Sequence, residues 1–248
     1  SLPGEVLVKL RTTTALDPLL AKYQLGVIGQ FGARPIYRLK LPVQADLRDT
    51  LAALLRETDV LLAEPNIVHS SPEARTGNSP WAVGNSPWTI GTPVDYSVQW
   101  APEAIGLPAA HLLSTGTGVR VAVLDTGVDR LHPALAGKLL PGFDFVDYDD
   151  NPSEEGSRAD AGFGHGTHVA GIVAMVAPDA MIMPLRVLDA GGQGNTWVLA
   201  EALLYAVDPD GDPGTDDGAH IINLSLGTTS PTHILGTIAK LVTCQVTD

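Results

Sequence analysis

The most constraining feature of this sequence is a regular alternation of strand-like and helix-like segments that begins near residue 118. The run "GVRVAVLD" is almost continuously apolar and ends at Asp125, and such runs are typical of parallel strands covered on both faces. Further strands are predicted at 181–189 and 219–227. Because strands that alternate with helices form parallel sheets with crossover connections, this part of the chain is predicted to be an α/β domain.

Three helices are predicted between and after these strands. The first begins at His165 and carries apolar residues at helical spacing, namely Val169, Ile172, Val173 and Val176. The second covers 195–207 with Asn195 as its N-cap, and the third covers 232–242. Pro184 interrupts the second strand, and we expect a bulge or an irregular sheet edge there because proline cannot donate a main-chain hydrogen bond.

A smaller unit precedes this domain. Its predicted elements alternate strand, helix, strand, helix and strand, at residues 4–10, 16–23, 35–43, 46–57 and 60–70. Asp46 is a candidate N-cap for the second of these helices. Five short elements in about 70 residues indicate a compact α+β domain.

The two units are joined by a segment of different composition. Residues 70–98 are rich in Ser, Pro, Gly and Asn, and "GNSPWAVGNSPWTIG" contains a duplicated stretch. Two copies are too few for a solenoid, so a linker is the plain interpretation. The predicted domains are therefore 1–70, a linker and the start of the next region at 71–110, and the α/β domain at 111–248.

Charge and hydropathy exclude several classes of protein. Residues 1–70 hold eight Lys or Arg and seven Asp or Glu, whereas the rest hold seven and twenty-one. A net charge of −13 disfavours nucleic acid as a partner. No apolar run approaches the length of a membrane span, and the N-terminus lacks the features of a signal peptide. Cys244 is the single cysteine, so it forms no internal disulfide and is interpreted as a buried, inert thiol.

Chemically useful residues collect where the predicted strands end. Asp125 closes the first strand, "SLG" closes the third, and His165 begins the intervening helix beside Gly164 and Gly166. Ligands of open α/β sheets bind beyond the carboxyl ends of the strands, so these points are expected to meet at one edge. The sequence therefore predicts a candidate active site there.

Four segments resemble, in order, the signatures of the subtilisin-like serine proteases, which form the subtilase or peptidase S8 family. They are "VAVLDTGVD", "GHGTHVAG", "PLRVLDAGGQG" and "INLSLG". The front block, with "GEVLVKL" and "AEPNIV", resembles the inhibitor-I9-like propeptide of such proteases. The resemblance covers most of the chain. It implies an α/β fold with an incomplete doubly wound parallel sheet, preceded by a small α+β propeptide domain.

The resemblance also assigns roles to particular residues. Asp125 matches the triad aspartate, which orients a histidine and stabilises its charged form. His165 matches the general base, and a helix N-terminus and a carboxylate acting in opposite directions are expected to hold its pKa near neutral. Two walls of a substrate cleft, which would pair with an extended peptide, are matched by Gly192, Gln193 and Gly194 and by Ser225, Leu226 and Gly227.

Metal binding is left open. His165 and His168 lack a third zinc ligand and the i, i+4 spacing of a two-histidine helix motif, so neither is predicted to bind metal. The acidic loops 144–156 and 208–218 fit either a structural calcium ion or solvated loops, and Ala219 at the twelfth position excludes an EF-hand. No cofactor is expected to be required.

The sequence contains no match to the nucleophilic serine or the oxyanion asparagine of the family. Ser225 lies in the cleft strand and Ser230 precedes a proline in a loop, so neither fits a strand-to-helix elbow. Acyl transfer needs both a nucleophile and an oxyanion site. We therefore expect a serine endopeptidase precursor that is truncated before its catalytic serine and inactive alone.

The expected partners follow from the same resemblance. They are a peptide or protein substrate, the propeptide as an intramolecular inhibitor, and a second chain or missing C-terminal half that covers the open sheet edge. Secretion is implied by resemblance alone. The alternative is a non-catalytic inhibitor or binding module, a propeptide followed by a degenerate protease remnant. The presence of Asp125 and His165 favours the protease, because a binding module has no need of them.

Overall fold

The computed structural model describes residues 1–76 and 100–242 of the chain. The duplicated stretch at 77–91 and Cys244 lie outside these ranges. The chain divides into two compact units. The first comprises Ser1–His69, Asn195–Glu201 and Thr228–Asp248, and the second comprises Ser70–Gly194 and Ala202–Gly227.

Ten strands and eight helices are assigned within the described ranges, besides two short 3₁₀ turns. The strands are β1 Glu5–Leu10, β2 Gly26–Gln30, β3 Ile36–Lys40, β4 Val60–Pro65, β5 Val68–Ser70, β6 Arg120–Asp125, β7 Phe143–Asp144, β8 Met181–Arg186, β9 Gln193–Asn195 and β10 Ile221–Leu224. The helices are α1 Leu16–Tyr23, α2 Leu47–Leu54, α3 Pro72–Thr76, α4 Trp100–Ala104, α5 Leu107–His111, α6 His165–Val176, α7 Thr196–Val207 and α8 His233–Val242.

The first unit is built on an antiparallel sheet of four strands in the order β2-β3-β1-β4. Alternate residues of the central strand β1, among them Val6, Val8 and Leu10, enter a core with Tyr37 and Leu54. The predicted helices α1 and α2 are confirmed, and Asp46 caps α2 by accepting hydrogen bonds from two main-chain N–H groups. Strands β1–β4 with helices α1 and α2 therefore have the α+β architecture that the sequence predicts, and the compact unit also includes Asn195–Glu201 and Thr228–Asp248.

Two details of this unit differ from the prediction. Strand β2 was not expected, because most of its residues are exposed and it carries no buried alternation. The predicted strand 60–70 is split into β4, which pairs with β1, and β5, which pairs with β9. A single run of strand-forming residues therefore serves two sheets.

A buried carboxylate in β4 caps helix α8 within this unit. Glu64 is 6% exposed, and its Oε2 accepts a hydrogen bond from the His233 N–H at 2.8 Å. Its Oε1 accepts from Thr232 Oγ1 at 2.6 Å and from the Ile234 N–H at 3.2 Å. The first N–H groups of a helix have no partner inside the helix, so Glu64 supplies the acceptor that they need.

The second unit contains a parallel sheet in the order β10-β6-β8-β7, which confirms the predicted α/β class. Helix α6 packs its small residues Ala170 and Ala174 against Val121 and Val123 of β6. Of the apolar residues that indicated this helix, Val169 and Val173 pack against this core, whereas Ile172 and Val176 are exposed. Small side chains let the helix approach the sheet closely, and that proximity brings its first residues to the end of β6.

The expectation of a bulge or sheet edge at Pro184 is wrong. Strand β8 lies between β6 and β7, and its register with β6 runs through Pro184 without a shift. On the β7 side, main-chain hydrogen bonds are made by Ile182 and Arg186, two residues before and after the proline. Gly142 lies so close to the Pro184 carbonyl that a Cβ at Gly142 would overlap it. Pro184 therefore lacks its main-chain N–H at the point where the backbone of Gly142 passes close to β8.

The third predicted strand is shorter than expected and lies at one edge of the sheet. Within the predicted range 219–227, only Ile221–Leu224 are in strand β10. Ile221 is 54% exposed and Leu224 is 44% exposed. Among the described strands, β10 lies at one edge of this sheet, and the long apolar edge strand that was expected has only four residues.

Candidate active site

The end of strand β6 and the start of helix α6 bring Asp125 and His165 together. Asp125 is 1% exposed, and its Oδ1 lies 2.6 Å from His165 Nδ1. The same oxygen accepts a hydrogen bond from the Thr126 N–H at 2.7 Å. Among the described residues, Asp125 Oδ2 has no hydrogen-bond partner. The arrangement orients the imidazole through a single carboxylate oxygen.

Two glycines make this meeting sterically feasible. Gly164 precedes α6 with φ 86°, a left-handed conformation that glycine adopts at little cost. At Gly166, an added Cβ would overlap the Gly127 carbonyl oxygen and lie 3.1 Å from the Asp125 Cβ. The first turn of the helix therefore reaches the aspartate because residue 166 has no side chain.

The surroundings of His165 favour its charged form. Burial lowers the pKa of the imidazole, but the hydrogen bond and charge of Asp125, with the charges of Glu73 and Glu154, together raise it above the usual value. The pKa of His168 is lowered, by burial first and then by the charge of His165. The pKa values of the two histidines of the motif are thus shifted in opposite directions.

Glu73 in helix α3 lies against the other ring nitrogen. Its Oε2 is 3.5 Å from His165 Nε2. No sequence signal points to this contact, because residue 73 falls in the predicted linker and its helix has only five residues. The imidazole therefore faces a carboxylate at each nitrogen.

A third carboxylate, Glu154, lies behind the pair. Glu154 Oε1 accepts a hydrogen bond from Thr126 Oγ1 at 2.6 Å, and its Oε2 accepts from Thr167 Oγ1 at 2.8 Å. Burial raises the pKa of Glu154 to about 7, although hydrogen bonds from Thr126, Thr167 and the Gly164 N–H act to lower it. Sequence reasoning missed this residue because it had placed Glu154 in an acidic loop.

The predicted cleft walls contact a segment of the same chain. Ser70 and Gly227 exchange main-chain hydrogen bonds of 2.9 and 3.0 Å as an antiparallel bridge. The Ser71 N–H donates to the Gly192 carbonyl at 2.9 Å. Ser70 and Ser71 thus lie between the two predicted walls as an added strand, in the pairing mode expected of a bound peptide.

A cavity of about 590 Å³ adjoins this segment. It is lined by His165 together with Glu73, Ser225, Leu226 and Gly227. The three residues of the other predicted wall, Gly192, Gln193 and Gly194, are not among those that line it. Gln193 pairs with Asp189 in a turn, and Gly194 packs close to the Val187 carbonyl. The structure therefore brings Ser225–Gly227 and His165 to one cavity.

Neither candidate serine has the surroundings of a nucleophile. Ser225 Oγ accepts a hydrogen bond from Asn223 Nδ2 at 2.9 Å, and no bond to His165 is present. Ser230 is exposed. Within the described ranges, the serines that sequence reasoning considered are not bonded to the imidazole.

The two acidic loops differ in what they enclose. Asp144, Asp147 and Glu155 form one group of carboxylates, and the Arg186 guanidinium contacts all three at 2.6, 2.6 and 3.0 Å. This group does not fit a metal, because a cation already occupies it. The group Asp208, Asp210 and Asp217 has oxygen atoms within 4.8 Å of one another, and Asp208 Oδ1 has no hydrogen-bond partner among the described residues. Oxygen donors of this kind suit calcium.

Two family profiles match the chain. The profile described as Peptidase_S8, Subtilase family, matches residues 116–245. The profile described as fervidolysin N-terminal prodomain matches residues 2–66. Since the subtilase match spans more than half of the 248 residues, the chain belongs to the subtilase family.

Individual proteins agree with this assignment. Thermitase from Thermoactinomyces vulgaris is 41% identical over 143 residues, which are 54% of this chain and 46% of thermitase. Subtilisin Savinase from Lederbergia lenta is 39% identical over 149 residues, which are 56% of this chain and 49% of that protein. The chain therefore spans less than half the length of these relatives.

A solved structure shares the fold. The crystal structure of fervidolysin from Fervidobacterium pennivorans, described as a keratinolytic enzyme related to subtilisin, matches with a TM-score of 0.68. The match covers 96% of this chain and 38% of that chain at 23% identity. It supports the combination of a small N-terminal prodomain with a subtilisin-like α/β fold. Within residues 1–76 and 100–242, no helix has the length and apolar character needed to cross a membrane.

Proposed function

We propose that the protein is the precursor of a subtilisin-like serine endopeptidase in which Asp125 orients the general base His165. The observation that carries the proposal is the 2.6 Å contact between His165 Nδ1 and the buried Asp125 Oδ1. With its Nδ1 proton donated to the aspartate, a neutral imidazole presents the lone pair of Nε2 to a nucleophile. The aspartate then stabilises the imidazolium that forms when the proton is taken.

The nucleophile and the oxyanion donor are proposed to lie in a segment that these 248 residues do not include. Ser225 and Ser230 are not bonded to His165, and a base without a nucleophile cannot transfer an acyl group. General-base catalysis alone contributes about 10² to 10⁴-fold, and only on a group held in place. The isolated chain is therefore expected to hydrolyse peptides at the background rate.

The segment after the N-terminal domain is proposed to act as an intramolecular inhibitor. Ser70 and Ser71 bond to Gly227 and Gly192, which are the residues that a substrate strand would need. Glu73 lies beside the Nε2 that would accept the proton. A peptide substrate in extended conformation is the expected ligand of the same walls once this segment has left.

The decisive test is complementation. The 248-residue chain is mixed with, or extended by, a subtilase segment that carries the serine and the oxyanion asparagine, and hydrolysis of a peptide substrate is measured. Restored activity that is lost in His165→Ala and kept in His233→Ala, an exposed histidine, supports the proposal. Activity that survives His165→Ala contradicts it. Labelling of the 248-residue chain by a serine-directed phosphonate would show that its nucleophile is already present.

The second candidate is a non-catalytic inhibitor or binding module. This candidate is favoured by the contacts of Ser70 and Ser71 with the predicted cleft walls, because binding an extended strand requires no catalysis. It predicts that the complemented protein stays inactive and that Asp125→Asn leaves peptide binding unchanged. The two functions are thus separated by the peptidase activity of the complemented protein and by its dependence on Asp125.

Secretion is a further proposal. Minor extracellular protease Vpr of Bacillus subtilis is 42% identical over 123 residues, which are 46% of this chain and 14% of that protein. We expect the complete protein to be exported as well. Fractionation of the producing cells, with detection of the chain outside them, tests this expectation.

A further inference from the structure

We propose that Glu154 is a positioning residue that holds His165 against Asp125 by joining the turn after β6 to the first turn of α6. The inference deepens the proposed function, because it rests on His165 as the general base. It concerns a residue that neither orients the imidazole directly nor touches the cleft.

The first step of the argument is the set of contacts that Glu154 makes. Its Oε1 accepts a hydrogen bond from Thr126 Oγ1 at 2.6 Å, and Thr126 directly follows Asp125. Its Oε2 accepts from Thr167 Oγ1 at 2.8 Å and from the Thr167 N–H at 3.2 Å, and Thr167 lies two residues after His165. One carboxylate thus bonds to near neighbours of both members of the pair.

The second step is the direction of the threonine protons. Thr126 Oγ1 accepts a hydrogen bond from the Gly166 N–H at 2.9 Å, and Thr167 Oγ1 accepts from the Asp129 N–H at 2.8 Å. Each hydroxyl therefore has its single proton left for Glu154. The ionised carboxylate accepts from all three donors, whereas an amide or a protonated acid would present a donor to one of them.

The third step is that the contact between the two side chains is a single hydrogen bond, so its geometry depends on the main-chain segments that carry them. His165 bonds to one oxygen of Asp125, and the other oxygen has no hydrogen-bond partner among the described residues. The bond from the Gly166 N–H to Thr126 Oγ1 ties the residue after His165 to the residue after Asp125. Glu154 fixes the orientation of that hydroxyl and so keeps the two main-chain segments in register.

Other charged groups surround Glu154. A cavity of about 400 Å³ on its far side is also lined by Asp129, Arg130, His132 and Arg158. On its near side are Asp125 and His165. Because burial raises the pKa of Glu154 to about 7, both of its protonation states are populated near neutral pH. The protonated state should loosen the pair in the same way as an amide does.

The test uses the 248-residue chain and nuclear magnetic resonance of its histidines. The Nδ1 proton of His165, shared with Asp125 over 2.6 Å, is expected to give a separate resonance far downfield that Asp125→Asn removes. In Glu154→Gln we expect this resonance to broaden or vanish and the pKa of His165 to fall. The matched control is Glu155→Gln, the same change one residue later, where the side chain contacts Arg186 instead. Because the charge of Glu154 by itself raises the pKa of His165, a fall of that pKa alone does not show positioning, whereas broadening or loss of the resonance that depends on Asp125 does.

A second pair of variants protects the test against a failure of Glu154→Gln to fold. Thr167→Val removes a hydroxyl that bonds to Glu154, whereas Thr167→Ser keeps it. Loss of the downfield resonance in Thr167→Val and its retention in Thr167→Ser supports the proposal. An unchanged resonance and unchanged His165 titration in both Glu154→Gln and Thr167→Val overturns it.

The outcomes also separate this inference from the proposed function. If Asp125→Asn removes the resonance but the Glu154 and Thr167 variants do not, the role of Glu154 fails and the function stands. If the unaltered chain shows no resonance that depends on Asp125, the geometry of the base fails, and the inference fails with it. Complementation without any restored peptidase activity, together with a resonance that depends on Glu154, would refute the function alone.

Discussion

Each of the two compact units places an ionisable side chain against threonine hydroxyls, but the first is a buried base and the second is a partly buried acid. In the first unit His69 is 3% exposed, and its Nε2 is 2.9 Å from Thr196 Oγ1. In the second unit Glu154 bonds to Thr126 and Thr167. Burial dominates in both places: the pKa of His69 is lowered to about 4 and that of Glu154 is raised to about 7.

The comparison of His69 with Glu154 shows that burial shifts the pKa of a base and of an acid in opposite directions, so their contributions to stability depend oppositely on pH. The folded pKa of His69 lies below its ordinary value of 6.5, so its contribution is complete above pH 6.5 and is lost as the pH falls toward about 4. The folded pKa of Glu154 lies above 4.5, so its contribution is complete below pH 4.5 and is lost as the pH rises through about 7. The contributions of these two side chains to stability therefore respond oppositely to acid.

A substitution of Asp125 is expected to have the largest effect, because it acts on catalysis. This buried carboxylate bonds to the imidazole of His165, whereas Glu154 bonds to threonine hydroxyls. We expect Asp125→Asn to reduce kcat/KM of the complemented protease by about 10⁴-fold, since the tautomer and the charge of His165 are no longer supported. The pKa of His165 should fall, because the hydrogen bond and charge of Asp125 both raise it. Activity within tenfold of the unaltered protein would contradict the assignment.

The next largest effect is expected from His69→Gln, which tests the pH dependence of stability that is attributed to His69. The lowered pKa corresponds to about 3 kcal/mol of stability that is lost between pH 6.5 and 4. We expect the variant to lose less free energy of unfolding on acidification than the unaltered chain does. Urea unfolding at pH 4.5 and pH 7 measures this. The exposed His233→Gln is the control, and equal acid sensitivity in all three chains would refute the argument.

Glu154→Gln tests the carboxylate side, with the opposite sign. The unaltered chain should lose stability from this residue between pH 4.5 and about 7, by less than about 3 kcal/mol because the side chain is only partly buried. In Glu154→Gln this pH-dependent loss of stability should be absent, even if the variant is less stable than the unaltered chain at any one pH. Unfolding at pH 5 and pH 8 gives the slope, with Glu155→Gln measured beside it. A variant slope that matches the unaltered one would exclude Glu154 as the source.

Glu64→Gln examines a buried carboxylate whose partners are the N–H groups of a helix. We expect a loss of about 1–2 kcal/mol, because the cap of α8 weakens while an amide oxygen still accepts one bond. The downfield resonance of His165 should stay in place. Faster hydrogen exchange confined to the start of α8 would confirm the cap. The exposed Asp59→Asn in the same unit should have no such effect.

Calcium gives the smallest expected effect. If the ion binds Asp208, Asp210 and Asp217, ten times its Kd stabilises the chain by about 1.4 kcal/mol. Thermal unfolding with calcium and with chelator measures the difference. We expect the double variant D208N/D217N to abolish it, whereas D144N should not, because Arg186 already holds that carboxylate. A shift that survives D208N/D217N would place the ion elsewhere.

The sequence predicted the central pair because both residues stand at the ends of periodic elements. Asp125 closes an apolar strand and His165 opens a helix, so the topology of a parallel sheet is enough to bring them to one edge. The wall residues Gly192 and Gly227 came from resemblance, and their bonds to Ser70 and Ser71 agree with that expectation. Their roles in catalysis and binding stay predictions.

The residues that escaped prediction lie where periodicity gives no information. Glu154 is in a loop and Glu73 is in a five-residue helix, and each reaches His165 or its neighbours through the path of the backbone. Strand β2 is exposed on most of its residues and so has no apolar pattern. Pro184 predicted a sheet edge that the structure does not have, because proline lacks a main-chain N–H. A central strand tolerates it because the backbone of Gly142 passes close to the strand there.

The Arg186 cluster has a practical consequence for handling the protein. Asp144, Asp147 and Glu155 are gathered by a covalently attached cation, which cannot be removed by EDTA or diluted away. Dialysis against chelators should leave the loop 144–155 resistant to a second protease, while the loop 208–217 becomes the first site of nicking if it depends on calcium. The early cleavage products would then show which of the two loops is held by an ion pair within the chain and which is held by a metal ion from the solution.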